Sequence, residues 1–156
     1  MDVDKVKLEG IVRDVLARYM AETTAKGPVK GPGFERQADA PSGVMAVKTA
    51  TVTPEPFDTG KAGDRVYLKD VLTLEESPRL GCGVMEMKET TFDWTLNYDE
   101  VDVVLEGSLS IIVDGRKVTA DQGEIIFIPK NTKIQFSVPD YAKFIFVTYP
   151  ADWESQ

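Results

Sequence analysis

The chain has 156 residues, 42% of them hydrophobic, and its 18 basic and 26 acidic side chains give a formal charge of -8. That length suits one domain with its own core plus an appendage, and the negative charge repels phosphate backbones and excludes a nucleic-acid binder built on a basic stripe. No apolar run approaches the ~20 residues that cross a bilayer, no signal-peptide core is present, and the single Cys82 cannot close an internal disulfide, so a soluble cytoplasmic protein with no membrane or nucleic-acid partner is expected.

Residues 1–22 predict an amphipathic helix. Leu8, Ile11, Val12, Val15, Leu16 and Tyr19 recur at helical spacing, and Lys5, Glu9, Arg13, Asp14 and Arg18 fall elsewhere on the wheel. Residues 23–37 read as a Pro/Gly linker, because "TTAKGPVKGPG" stops the helix and supplies no core side chains. The apolar stripe must be covered by the chain's own domain, by a second copy or by another protein. Its mixture of acids and bases does not suit a membrane surface.

Residues 38–156 predict an all-β domain. "GVMAVKTATV", "DRVYLKDVLTL", "GCGVMEMK", "DEVDVVLEGSLSIIV", "RKVTA", "EIIFIP", "TKIQFSV" and "KFIFVTYP" are short runs rich in β-branched and aromatic residues, separated by Pro, Gly, Asp and Asn. Asp114-Gly115 marks a two-residue hairpin, and "ADQGE" and "PKN" mark further tight turns. About eight strands with short links suggest a double-sheet jelly roll or a closed barrel whose mouth can hold a small ligand. Cys82, inside "LGCGVMEM", reads as a small strand residue rather than a catalytic thiol.

"FDWTLNYDEVDVVLEG", Phe92 to Gly107, reads as a turn feeding a strand. Its Glu100 and Gly107 are separated by six residues, and a Gly123-x5-Pro129 frame follows a short hairpin later. This pair of frames resembles the two motifs of the cupin superfamily, which implies an RmlC-like jelly-roll β-barrel. Cupins usually carry His-x-His three or four residues before the glutamate and another His five residues after the proline. Here those places fall on Asp93 and Thr95, or on Trp94 and Leu96, depending on the gap, and on Ile134; the chain has no histidine. Asp93, Thr95 and Glu100 would make an oxygen-only site for a hard cation, so no transition metal is expected, and neither is a metal-dependent oxygenase or isomerase. Any cation would be Mg2+, weakly held together with substrate.

"RQADAPSGVMAVKTATVTPEPFDTG", "FDWTLNYDEVDVVLEG" and "IFIPKNTKIQFSVPDYAKFIFVTYPADW" together are similar to the ethanolamine utilisation protein Q (EutQ) family, over about Glu35 to Trp153. The resemblance implies a small cupin that pairs as a homodimer, works with the shell and enzymes of a bacterial microcompartment and has an acetate kinase activity, ATP:acetate phosphotransfer, which brings in Mg2+ with ATP. The helix and linker look like terminal peptides that bring cargo to such shells, so the implied partner of the helix is a shell protein. The alternative is a non-catalytic dimeric cupin, a small-ligand-binding or shell-docking assembly factor.

No G-x-x-x-x-G-K-[ST] stretch is present, so an ATP site would be of non-standard form. If Glu100 faces inward, the two-residue period turns Asp102 and Val104 inward as well, and Val101, Val103 and Leu105 to the other side. Two carboxylates facing one cavity repel, so one holds a proton near neutral pH, or both share a cation or a Lys or Arg; their other reading is as partners of turn amides. Glu100, Asp102 and Tyr98 are therefore the candidate catalytic residues, with a weak Mg2+ site at the two carboxylates. Asn97, Asp99 and Lys88 are the candidates for binding a small carboxylate. Arg79, Lys61 and Arg65 are further candidate cations, each also readable as a solvated surface charge. Phe127, Phe136, Phe144, Phe146, Trp94 and Trp153 read as core or dimer surface.

Overall fold

The computed structural model describes residues 10, 12–15, 30–31 and 33–156. The chain forms two compact units, Met1–Lys48 and Thr49–Gln156.

In the first unit, residues 10 and 12–15 are α-helical; the rest of the helix expected over 1–22, and residues 23–29 and 32 of the expected linker, lie outside the described residues. Strands β1 (Lys30–Gly31), β2 (Phe34–Ala38) and β3 (Met45–Val47) form an antiparallel sheet in that order. β1 and most of β2 fall in the stretch whose composition reads as linker. Between β2 and β3 the Asp39 carboxylate accepts the Ser42 N–H at 3.1 Å, an Asx-type turn closure.

The second unit is a single sheet of β4 (Glu55–Pro56), β5 (Val66–Asp70), β6 (Gly81–Leu96), β7 (Asp99–Val113), β8 (Arg116–Asp121), β9 (Ile125–Ile128) and β10 (Thr132–Tyr149). Its order is β4-β5-β6-β10-β7-β8, with β9 also paired to β7. The expected run "DEVDVVLEGSLSIIV" is β7, and the Asp114-Gly115 hairpin forms with both residues at positive φ, 49° and 77°.

Two expectations are corrected. Phe92 to Leu96 are the end of β6 rather than a turn, and only Asn97 and Tyr98 separate β6 from β7. "TKIQFSV" and "KFIFVTYP" are one strand, β10, running through Pro139. Proline is tolerated there because the ladder to β6 is already broken by an irregularity between Val138 and Tyr141, where no N–H is demanded.

The register shows how the sheet rolls. Leu96 pairs with Thr132 at the start of β10, and Asp99 pairs with Tyr149 at its end. Leu96 and Asp99 are three steps apart, at most about 11 Å, whereas 18 residues of straight strand would span about 60 Å. β10 must therefore bend until its ends meet, and the irregularity at Pro139 and another at Lys143/Phe144 supply the bend. β7 turns at Gly107, whose φ is 72° and whose Cβ, were it present, would meet the Tyr141 carbonyl oxygen at 2.0 Å; only glycine fits. Because β4 and β8 remain as unjoined ends, the sheet is a rolled jelly roll and not a hydrogen-bonded closed barrel.

Rolling brings the alternate residues Phe136, Phe144 and Phe146 of β10 against Leu96, Leu109 and Ile111, in one core cluster. The outer face of one half is also apolar. Val101 pairs with Phe127 and Val103 with Ile125, and Phe127 and Ile125 are 61% and 63% exposed.

Candidate functional site

The start of β7 alternates Glu100, Asp102 and Val104 inward with Val101, Val103 and Leu105 half-buried on the other side, as the two-residue period predicts. Glu100 faces Ile128 and Thr148 across its neighbours, and Asp102 faces Ile126 and Phe146. The carboxyls are thus set among apolar strands. Asp102 is fully buried and Glu100 is 4% exposed; neither oxygen of Asp102, nor Oε1 of Glu100, has a hydrogen-bond partner.

That environment disfavours charge. Burial pushes Glu100 up to about 7; Asp102 and Tyr98 approach closely enough to pull it back without reaching hydrogen-bond geometry. Burial, then the neighbouring Glu100, raises Asp102 well above its ordinary range. The Tyr98 hydroxyl, raised by burial and then by Glu100, accepts the Trp94 indole N–H at 2.9 Å. Tyr98, Glu100 and Asp102 form one buried group at the point where the sheet rolls back on itself.

The other sequence candidates stand elsewhere. Asp99 accepts the Lys130 N–H at 2.8 Å, and Asn97 donates to the Gln156 carbonyl at 3.1 Å, so both fasten main chain around the roll. Lys88 and Arg79 are exposed, Lys61 pairs with Asp64, and Arg65 pairs with Glu89. Among the described residues no Lys or Arg forms an ion pair with Glu100 or Asp102, which leaves a held proton or a shared cation as the alternatives for the pair. Cys82 is half-buried and its thiol is raised by burial, in keeping with an inert strand residue.

The structure also decides what stands in the imidazole places. Trp94 and Leu96 lie on the inner face with Phe92 and Tyr98, and Ile134 is paired directly with Trp94, whereas Asp93 and Thr95 are exposed. Asp93 instead accepts from Gln135 at 3.0 Å on the outer face. A three-oxygen set of Asp93, Thr95 and Glu100 is therefore not brought together.

Beside Glu100 lies a void of about 20 Å3, room for one water-sized group, walled by Phe57, Trp94, Tyr98, Phe146 and Trp153. Trp153, in the short 3-10 turn Trp153–Ser155, is 7% exposed and covers it, with its ring 5.9 Å from that of Tyr98 and 6.1 Å from that of Phe146. A separate hollow of about 490 Å3 is lined by Thr59, Thr95, Asp114, Lys133 and Gln135 and shares Trp94 with the void.

Sequence reasoning missed Phe57, which lies in a loop without periodicity, and Thr148. Thr148 is 1% exposed with an unpartnered Oγ1 that lies over Gly81, where a Cβ would come within 2.2 Å. The alternation Phe144, Phe146, Thr148 was the signal for it.

The family description "Ethanolamine utilisation protein EutQ" matches residues 3–155. The chain belongs to the EutQ family. It is 57% identical over 158 residues to "Acetate kinase EutQ" of Clostridioides difficile, covering 99% of this chain and 97% of that protein. The solved structure of the Clostridium difficile EutQ protein superposes with a TM-score of 0.78 at 64% identity, covering 81% of this chain and 93% of that one. The Schizosaccharomyces pombe Cnp3 cupin domain, 10% identical with a TM-score of 0.55 over 70% of this chain and 77% of that one, shares the fold alone. The architecture is a cupin fold. Among the described residues no helix is long and apolar enough to cross a membrane.

Proposed function

We propose that this EutQ cupin is an acetate kinase, transferring the γ-phosphoryl group of ATP to acetate within a bacterial microcompartment. The observation that carries the reading is the buried, unpartnered pair Glu100 and Asp102, in a chain 57% identical along almost its whole length to a protein named for that activity. Three unpartnered carboxylate oxygens are hard donors, so the pair fits Mg2+, which when bound would supply charge neutralisation to the phosphates. The 490 Å3 hollow is of a size for a nucleotide, and its wall carries Lys133 beside Asp93 and Asp114. The test is acetyl phosphate formation from ATP and acetate: Glu100→Gln is expected to lose most of the rate, and equal rates in the two proteins would remove Glu100 from the chemistry.

A second reading, a non-catalytic dimeric assembly factor, is favoured by the exposed apolar face of Ile125 and Phe127 beside Val101 and Val103, and by the exposed stripe residues Val12 and Val15. In this reading the sheet face holds a homodimer and the helix meets a shell protein. Removing residues 1–27 should then abolish shell association with little change in melting temperature; retained association would contradict it.

A further inference from the structure

We propose that the void beneath Trp153 is a cation-selective aromatic cage that takes the head group of a small primary alkylammonium. Phe57 and Trp94, 5.7 Å apart and edge to face, form one part of the wall; Tyr98, Phe146 and Trp153 add further rings, and Leu68 and Met85 add aliphatic surface. The faces of such rings carry negative quadrupole charge and attract cations. Glu100 is the carboxyl on the wall; its Oε1 is buried without a partner, and Asp102 lies behind it in the same condition. Among the described residues no Lys or Arg lines the void.

An anion placed there would meet the Glu100 carboxyl and aromatic rings with no Lys or Arg to balance its charge, whereas a cation meets that carboxyl and the rings, beside the aliphatic Leu68 and Met85. An ammonium has three N–H donors and no acceptor. Glu100 Oε1 can take one, and the Tyr98 oxygen keeps a lone pair beyond the one that accepts the Trp94 N–H. The void of about 20 Å3 matches the head group alone. A carbon tail would occupy the place of the Trp153 indole, so binding moves that ring. The inference does not rest on phosphotransfer.

The test uses the full chain and its two tryptophans, Trp94 and Trp153, both on the wall of the void. Methylammonium and 2-hydroxyethylammonium chloride are titrated against sodium chloride of equal ionic strength, with sodium acetate as the probe of opposite charge. Fluorescence and melting temperature are followed together. The expected result is a saturable fluorescence change and a raised melting temperature with the ammonium salts and no such fluorescence change with acetate. Glu100→Gln should weaken binding by about tenfold or more, and Asp93→Asn on the outer face should leave it unchanged. Trp94→Leu, which removes a ring and no charge, should weaken binding more than Trp94→Phe, and serves if Glu100→Gln does not fold. No saturable response to either ammonium, an equal response in Glu100→Gln, or a response to acetate alone would overturn the inference. Acetyl phosphate formation in a protein that binds no ammonium would overturn it as well, and would leave the kinase reading standing.

Discussion

The two halves of β7 bury polar groups in opposite ways. Toward its C-terminal end, Ser110 is 1% exposed, and its hydroxyl is matched by that of Thr119 at 2.9 Å, between the buried Leu109 and Ile111. Toward its N-terminal end, Asp102 and Glu100 are also buried, and both oxygens of Asp102 and Oε1 of Glu100 go unmatched. Buried polar atoms in folded proteins are as a rule hydrogen-bonded, because each one left alone costs about 1–3 kcal/mol. One half of the strand obeys that rule and is structure; the other breaks it twice, where the ring-walled void lies.

The largest expected effect probes the satisfied half. Leu109→Ala removes a fully buried side chain and should cost about 2–5 kcal/mol in chemical denaturation, the range for a core cavity. At the other end the sign should reverse. Asp102→Asn keeps the shape, removes the need to hold a proton, and should stabilise at pH 8 by about 1–3 kcal/mol; a loss of that size would mean that Asp102 has a partner the geometry does not show. Ser110→Ala should cost about 1 kcal/mol, since it deletes one satisfied hydrogen bond. Lys88→Ala, on the exposed surface, should stay within about 0.5 kcal/mol and leave any acetyl phosphate formation unchanged; a lost rate would return Lys88 to the site.

Local patterns in the chain carried the strands well. The alternation Glu100, Asp102, Val104 against Val101, Val103, Leu105 predicted which side chains face inward, and the Asp114-Gly115 turn followed from φ sterics alone. What local pattern could not show was the bending of β10. Pro139 reads as a break, and only the ladders on both sides reveal that the strand continues and brings Leu96 to Asp99. The same bend sets the surroundings of the site. It turns Asp99 and Asn97 toward main-chain partners at the seam of the roll, and it brings Phe57 and Trp153, from distant loops, over Glu100. Two placements for the missing imidazoles were open in the sequence, because the gap before Glu100 was ambiguous; the two-residue link at Asn97 and Tyr98 puts Trp94 and Leu96 inward.

The claim that the carboxyl pair is held uncharged by burial is tested most directly by stability as a function of pH. Burial pushes Glu100 up from its ordinary value of 4.5 to about 7, and raises Asp102 in the same direction. Between those pH values the unfolded chain has released a proton that the folded chain keeps. The contribution to stability is therefore full below about pH 4.5 and is lost as the pH rises through 7, an effect on the order of a few kcal/mol. Denaturation of the wild type and of the Glu100→Gln, Asp102→Asn double variant should be measured from pH 5 to pH 8. The wild type is expected to lose stability toward pH 8, and the double variant to show a flatter profile and to be the more stable of the two there. Parallel profiles, or a double variant less stable at pH 8, would contradict the account.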